Sequence, residues 1–343
     1  MRLTKRMPGL ADRQVNGYKG VDFNRPDLTS KEVTKACDSL MQEGVTAFFP
    51  TLITNHPDEI SRLIRTIVAA DDSIGATIAG IHLEGPFISD QEGARGAHPV
   101  QYATAPRWDW MQRWMEESEG RIKLITLAPE WEGSSDFISQ CVEAGVKVSI
   151  GHTLATEEQI AIAVAAGATL STHLGNGSPV MIKRHPNPIW EQLSQEKLWI
   201  SAIGDGFHLP EQVIRVFSKV KGKKMFWVSD STALAGELPG EYATHIGGRV
   251  VLTPEGKLHL AENSDLLAGA AMSMRQMIEN VWKKDWFTFD EAWRMGSEYP
   301  WSFLGQTCPE GDEVEVSVNE KERKIKVQAV WKKDVCLWRQ EES

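Results

Sequence analysis

Residues able to bind a metal ion or move a proton recur at the ends of short apolar runs in this chain. Gln14 and Asn16 finish the first run, and Glu84 finishes the third in Gly80-Ile-His-Leu-Glu-Gly-Pro86. His152 ends the fifth, His173 the sixth, Asp205 and His208 follow the seventh, and Asp230 ends the eighth. A lone buried histidine is most often a satisfied structural group. Six run ends that each deliver a ligand-type or acid/base residue are not explained that way, and the coincidence points to a metal site. One Glu with two His leaves a coordination position open, the arrangement of a catalytic rather than a structural Zn²⁺ site. Such an ion polarises a carbonyl and acidifies water. Asp230 then suits the general base that takes the water's proton and returns it to a leaving amine. Its plain alternative is a helix-capping aspartate ahead of Ser231 and Thr232.

The elements that must position these residues are β-type runs near 10–15, 45–50, 79–83, 123–128, 147–150, 169–172, 198–203 and 225–229. Helical segments separate them. Thr29 with Glu32, and Thr156 with Gln159, have capping-box spacing; Gly44 and Gly167 stop the two helices, and Pro210 suits a first helical position. Strands alternating with helices imply parallel pairing, and eight of them predict a closed (β/α)8 barrel over 9–306, with an open doubly wound sheet as the competitor. No GxGxxG follows the first run, so the dinucleotide form of that sheet loses support. In a barrel the C-terminal strand ends share one rim, where catalytic residues gather. Beyond the eighth strand, 249–260 reads as a hairpin turning at Pro254–Gly256, inserted at about 245–261. Helices are expected near 266–282 and 289–296. The alternation of Val314, Val316 and Val318, then Ile325 and Val327, marks accessory strands in 307–343. Residues 1–8 are expected to be a short leading segment only.

The chain has 343 residues, 41% hydrophobic and 24% charged, a composition that excludes a disordered or collagen-like chain. No apolar stretch approaches the ~18 residues a membrane helix needs. With 37 basic against 47 acidic residues the net charge is −10, which argues against nucleic acid as a partner and requires local cations for any anionic substrate. Cys37, Cys141, Cys308 and Cys336 form no CxxC, and Arg2, Lys5 and Arg6 precede no apolar signal region, so a reduced, cytoplasmic protein is expected. Among the 13 tryptophans, Trp282, Trp286, Trp293 and Trp301 fall where helices should pack.

Taken with these residues, the chain resembles the N-acetylglucosamine-6-phosphate deacetylase family of the amidohydrolase superfamily. The likeness rests on Pro8-Gly-Leu-Ala-Asp-Arg-Gln-Val-Asn-Gly17, Gly44-Val-Thr-Ala-Phe-Phe-Pro-Thr51, His82-Leu-Glu-Gly-Pro-Phe87 with Gly96-Ala-His-Pro99, and Gly151-His-Thr153. It continues through Thr172-His-Leu-Gly-Asn-Gly177, Gly204-Asp-Gly-Phe-His208, Ser229-Asp-Ser-Thr232 and Leu267-Ala-Gly-Ala270, in family order from Pro8 to Gly305. The resemblance implies a hydrolase of linear amide bonds with Glu84, His152 and His173 as metal ligands and Asp230 as catalytic acid/base. It places Ala97 and His98 against substrate, with His98 orienting or polarising the acetyl carbonyl. Asn176 and Gly177 fall on sugar-phosphate contacts, Arg184 and His208 on the cationic pair for the phosphate, and Leu267, Ala268 and Gly269 on a substrate loop. In the family that arginine can come from the neighbouring subunit, so a homodimer is implied.

Three departures stand out. Much of the superfamily has His-x-His on the first strand, where this chain has Gln14-Val-Asn16. Amides are poor ligands, so the pair is a vestigial metal position and one divalent ion per subunit, Zn²⁺ or else Fe²⁺, is expected. The family's small β-domain should be reduced here and built from the tail alone. Leu234 stands where proline is usual, which bears on sugar specificity. The expected reaction is hydrolysis of the acetamide of N-acetylglucosamine 6-phosphate to glucosamine 6-phosphate and acetate. Its alternatives are another acylamino sugar such as N-acetylgalactosamine 6-phosphate, an N-acyl amino acid, or a silent barrel with a binding role.

Overall fold

Each of the eight apolar runs is a strand in the computed structural model, which describes residues 2–73, 75–244 and 248–341. They are Leu10–Val15, Val45–Ile53, Ile81–Glu84, Ile122–Leu127, Lys147–Ile150, Leu170–Ser171, Trp199–Ala202 and Met225–Trp227. All seven neighbouring pairs are parallel and follow chain order. The first and last strands meet through a bridge from Val15 to Ser231, with Asp230 N–H donating to Gln14 C=O and Asn16 N–H to Ser231 C=O, both at 2.9 Å. That seam nearly closes an eight-stranded barrel of the TIM type. An open doubly wound sheet would leave those two strands apart.

Helices cross between the strands and bury their apolar faces on the barrel. Val33, Ala36, Cys37 and Leu40 do so from Ser30–Gln42, and Ile60, Leu63, Ile64 and Ile67 from Pro57–Val68. Both capping boxes form, at Thr29/Glu32 and Thr156/Gln159. Pro210 is the residue just outside the helix Glu211–Lys221 and not its first turn. Trp286, Trp293 and Trp301 are buried, with Trp282 packed against the same core.

Two segments depart from expectation. The hairpin is the centre of a four-stranded antiparallel sheet, Gly240–Thr244, Gly248–Leu252, Leu258–Leu260 and Asn263–Leu267; residues 245–247 of the expected insertion lie outside the described ones. Leu266 therefore belongs to a strand, and the following helix starts only at Met274, where Ser273 and Gln276 make a capping box. The accessory sheet is not built from the tail alone. Arg2–Pro8 is its edge strand, running antiparallel to Glu313–Asn319 with Lys5 opposite Val316, and Lys324–Lys332 and Val335–Arg339 complete it. The buried valines at 314, 316 and 318 turn that sheet's apolar face to the main core. With Thr4 and Arg6 exposed, the strand reads in sequence as a short leading segment.

Candidate active site

The C-terminal strand ends bring the expected ligands to one point. Glu84 Oε1 lies 2.8 Å from His173 Nε2 and 3.2 Å from His152 Nε2, and the two histidine nitrogens are 3.2 Å apart. Glu84, His98 and His152 each offer a ligand atom within 4.8 Å of the others, so four buried donors share the site. His152 Nδ1 lies 3.0 Å from the carbonyl of Ala94, which can only accept. In a neutral ring that contact puts the proton on Nδ1 and leaves the Nε2 lone pair facing the carboxylate oxygen and the second histidine. Lone pairs converging in a buried space require a cation between them. Ligands bound tetrahedrally at ~2.0–2.1 Å stand roughly 3.4 Å apart, close to the separations here. The donor set fits a divalent metal.

Protonation follows from the same contacts. Burial works against charge on Glu84, yet the contacts and charge of the His152 and His173 rings hold its carboxyl well below the usual range. Burial likewise opposes charge on His173, and its bond to Glu84 prevails and raises it. His98 is driven down to about 3 by burial first and the His152 ring second, whose centroid is 4.4 Å away.

Asp230 sits beside this cluster. Its Oδ1 accepts from Asn16 Nδ2 at 2.7 Å and Gln14 Nε2 at 3.0 Å, and Gln14 Nε2 also donates to Glu84 Oε1 at 2.9 Å. The first-strand amides thus present N–H groups to two carboxylates. A cation bound there would need those amides to turn their oxygens inward. Burial, then the Glu84 charge, pushes Asp230 up to about 6, against the pull of His173 and His208. His152, His173 and Asp230 all have positive φ, of 50°, 28° and 50°. Non-glycine residues held in that region cost of order 1–3 kcal/mol each. Six other described non-glycine residues share that region, and these three are the ones that sit at the barrel rim.

The remaining candidates divide. Gly177, at φ +59°, backs onto His152; a Cβ there would sit 2.7 Å from Nδ1. Asn176 donates to the His173 carbonyl. Ala97 is exposed beside buried His98. His208 Nδ1 pairs with buried Asp205 Oδ2 at 2.7 Å. The loop of Leu267, Ala268 and Gly269 reaches the Asp230 rim, because Ala270 bridges Ser231 and Gly269 packs on Thr232. Arg184 lies on an exposed loop and makes no ion pair with a described residue.

Beneath the site the barrel interior is polar. His82 Nε2 contacts Thr126 Oγ1 at 2.7 Å, Thr126 meets Thr172 at 2.7 Å, and Thr172 meets Ser149 at 2.5 Å. Asp12 Oδ1 accepts from Ser229 N–H at 3.1 Å and Gln14 N–H at 3.3 Å, tying the seam below Asp230. Burial pushes Asp12 up to about 7. Sequence reasoning missed Asp12, although its period-2 alignment with Gln14 and Asn16 put it on their face.

No protein-family model matches the chain. An N-acetylglucosamine-6-phosphate deacetylase of Lysinibacillus sphaericus is 31% identical over 294 residues, 85% of this chain and 74% of that one. The chain belongs to the N-acetylglucosamine-6-phosphate deacetylase family. The Haemophilus influenzae member is also 31% identical, over 87% of this chain and 76% of its own. Among solved structures, a Mycobacterium smegmatis deacetylase variant in complex with N-acetyl-D-glucosamine 6-phosphate superposes with a TM-score of 0.84 at 26% identity, covering 97% of this chain and 87% of that one. The Thermotoga maritima enzyme gives 0.80 at 25%, over 98% and 89%. This is the TIM-barrel amidohydrolase fold, and the chain is a hydrolase of that superfamily. Among the described residues no helix is long and apolar enough to cross a membrane.

Proposed function

We propose that the chain hydrolyses the acetamide of N-acetylglucosamine 6-phosphate to glucosamine 6-phosphate and acetate. The observation that carries this is the meeting of Glu84, His152 and His173 with Asp230 in one buried site, on a chain whose relatives are deacetylases of that sugar phosphate. Glu84, His152 and His173 would hold one divalent ion, Zn²⁺ in the first instance. Bound there, such an ion supplies a Lewis acid for the acetyl carbonyl and lowers the pKa of water.

The chain's own residues do the rest. Asp230 takes the proton of the attacking water and delivers it to the leaving amine, as the C–N bond breaks and the C–O bond forms. Gln14 and Asn16 fix Oδ1 of Asp230, so its second oxygen is the one that exchanges the proton. His98 hydrogen-bonds the acetyl oxygen where negative charge develops. Ala97 and the loop of Leu267, Ala268 and Gly269 line the sugar, and Asn176 and Gly177 meet the sugar phosphate. His208, steered by Asp205, and Arg184 hold the phosphate, a dianion that a chain of net charge −10 cannot bind without local cations. Arg184 lies beside Val180 and Met181, which are 93% and 87% exposed. Contiguous exposed apolar residues mark an interaction surface, and this loop would dock on a second subunit and deliver Arg184 to its site.

The test is acetate release from N-acetylglucosamine 6-phosphate, its C4 epimer and the unphosphorylated sugar. The 6-phosphate of the glucosamine series should be turned over fastest. Arg184→Ala should lower kcat/KM for it ~10–100-fold, the worth of a charge-assisted bond, and leave the unphosphorylated sugar unchanged. A wild-type enzyme that prefers the unphosphorylated sugar overturns the assignment.

A further inference from the structure

In the sequence the second barrel strand delivers no acid, base or ligand to the rim. In the structure the residue just past its end, Thr54, is buried against His98. Thr54 Oγ1 is 2.9 Å from His98 Nδ1, and the Thr54 backbone N–H points at the same nitrogen from 3.4 Å. A backbone N–H can only donate, so Nδ1 is the accepting nitrogen. A ring that accepts at Nδ1 is neutral and carries its single proton on Nε2. The space for this arrangement comes from the residue after Glu84. Gly85 has φ +95°, and a Cβ on it would lie 2.2 Å from Thr54 Oγ1. Any side chain there would push the hydroxyl off the ring.

We infer that Thr54 is a positioning residue: its backbone N–H sets the Nε2–H tautomer of His98, and its hydroxyl holds the ring so that this N–H aims at the acetyl oxygen. The inference rests on the role proposed above for His98. Without the hydroxyl the ring keeps only the longer contact from the backbone. The Nε2–H then swings off line from the oxygen that becomes negative in the transition state. The loss falls on the transition state more than on ground-state binding, so it appears in kcat rather than KM.

The experiment compares Thr54→Val, Thr54→Ser, His98→Ala and the double variant Thr54→Val/His98→Ala. Acetate release from N-acetylglucosamine 6-phosphate by the metal-loaded enzyme is read beside bound metal and the ¹⁵N shifts of histidine-labelled protein. One neutral hydrogen bond is worth ~3–10-fold. Thr54→Val should lose that much in kcat with KM and metal content unchanged, Thr54→Ser should recover it, and the double variant should be no slower than His98→Ala alone. In the spectrum Nδ1 of His98 should stay in the unprotonated range in every Thr54 variant, and move toward the non-hydrogen-bonded end of that range in Thr54→Val and not in Thr54→Ser. Wild-type kcat in Thr54→Val, or losses that simply add to those of His98→Ala, overturn the inference. If His98→Ala itself turns over normally, the carbonyl role of His98 fails and takes the inference about turnover with it. The spectrum distinguishes the two failures, since it reports the hydrogen bond to Nδ1 whether or not the sugar is the substrate.

Discussion

Replacing Asp12 with asparagine should make the protein more stable, by an amount that depends on pH. Asp12 is fully enclosed, and burial raises its folded-state pKa from 3.8 to about 7. Between those values the folded state binds the proton and the unfolded state does not, so stability falls as pH rises from about 4 to about 7 and is flat above. Asparagine does not titrate. The stability difference between variant and wild type should therefore grow from pH 5 to pH 8 by roughly 2 units at 1.36 kcal/mol each, about 3 kcal/mol. The amide's own cost of accepting from Ser229 and Gln14 N–H is the same at both pH values and cancels. For 343 residues the unfolding entropy is about 0.7 kcal/mol/K, so the relative Tm should move by about 4 °C. Tryptophan emission followed during melts at one scan rate, in chelator so that metal linkage is removed, reads this directly. An offset between the two proteins that is constant from pH 5 to 8 would refute the claim that Asp12 is held against its charge.

Three further outcomes follow from the site. Asp230→Asn keeps acceptance from Gln14 and Asn16 through its oxygen and should retain fold and metal while kcat falls ~10² or more; near wild-type turnover would move the base elsewhere. Dialysis against chelator should abolish activity, and reloading should restore it at close to one divalent ion per subunit by elemental analysis, because Gln14 and Asn16 offer N–H groups to Glu84 and Asp230. A stoichiometry of two with both ions required would contradict that. Gly177→Ala places a Cβ 2.7 Å from His152 Nδ1 and should loosen its bond to the Ala94 carbonyl. Disturbed partners of ligating histidines weaken binding 10–100-fold, which competition with a chromophoric chelator measures.

The barrel and its rim were legible because both are local signals. Apolar runs, capping boxes and a polar residue at six of the run ends all lie within a few positions of one another. What was not legible depends on partners remote in sequence. Arg2–Pro8 becomes a strand only because Val314, Val316 and Val318 lie across from it, some 310 residues away. Alone it reads as a short basic segment. Asn263–Leu267 is short and exposed, and its pairing with Leu258–Leu260 overrides the helical look of Leu266. Thr54 is an ordinary strand-end residue until His98 folds onto it. Arg184 was found by likeness, and the geometry of one chain leaves it out on its loop.

The left-handed backbone of His152, His173 and Asp230 has a consequence for how such a protein changes over generations. Glycine tolerates that conformation better than histidine or aspartate. Each position therefore holds a reserve of stability that becomes available once turnover is no longer selected. Under selection for heat resistance alone, substitutions should accumulate at 152, 173 and 230 ahead of other buried sites, and sequencing the survivors would show it. The route is close to one-way. Recovering the histidines or the aspartate means re-entering strain with no activity to reward it until all three have returned.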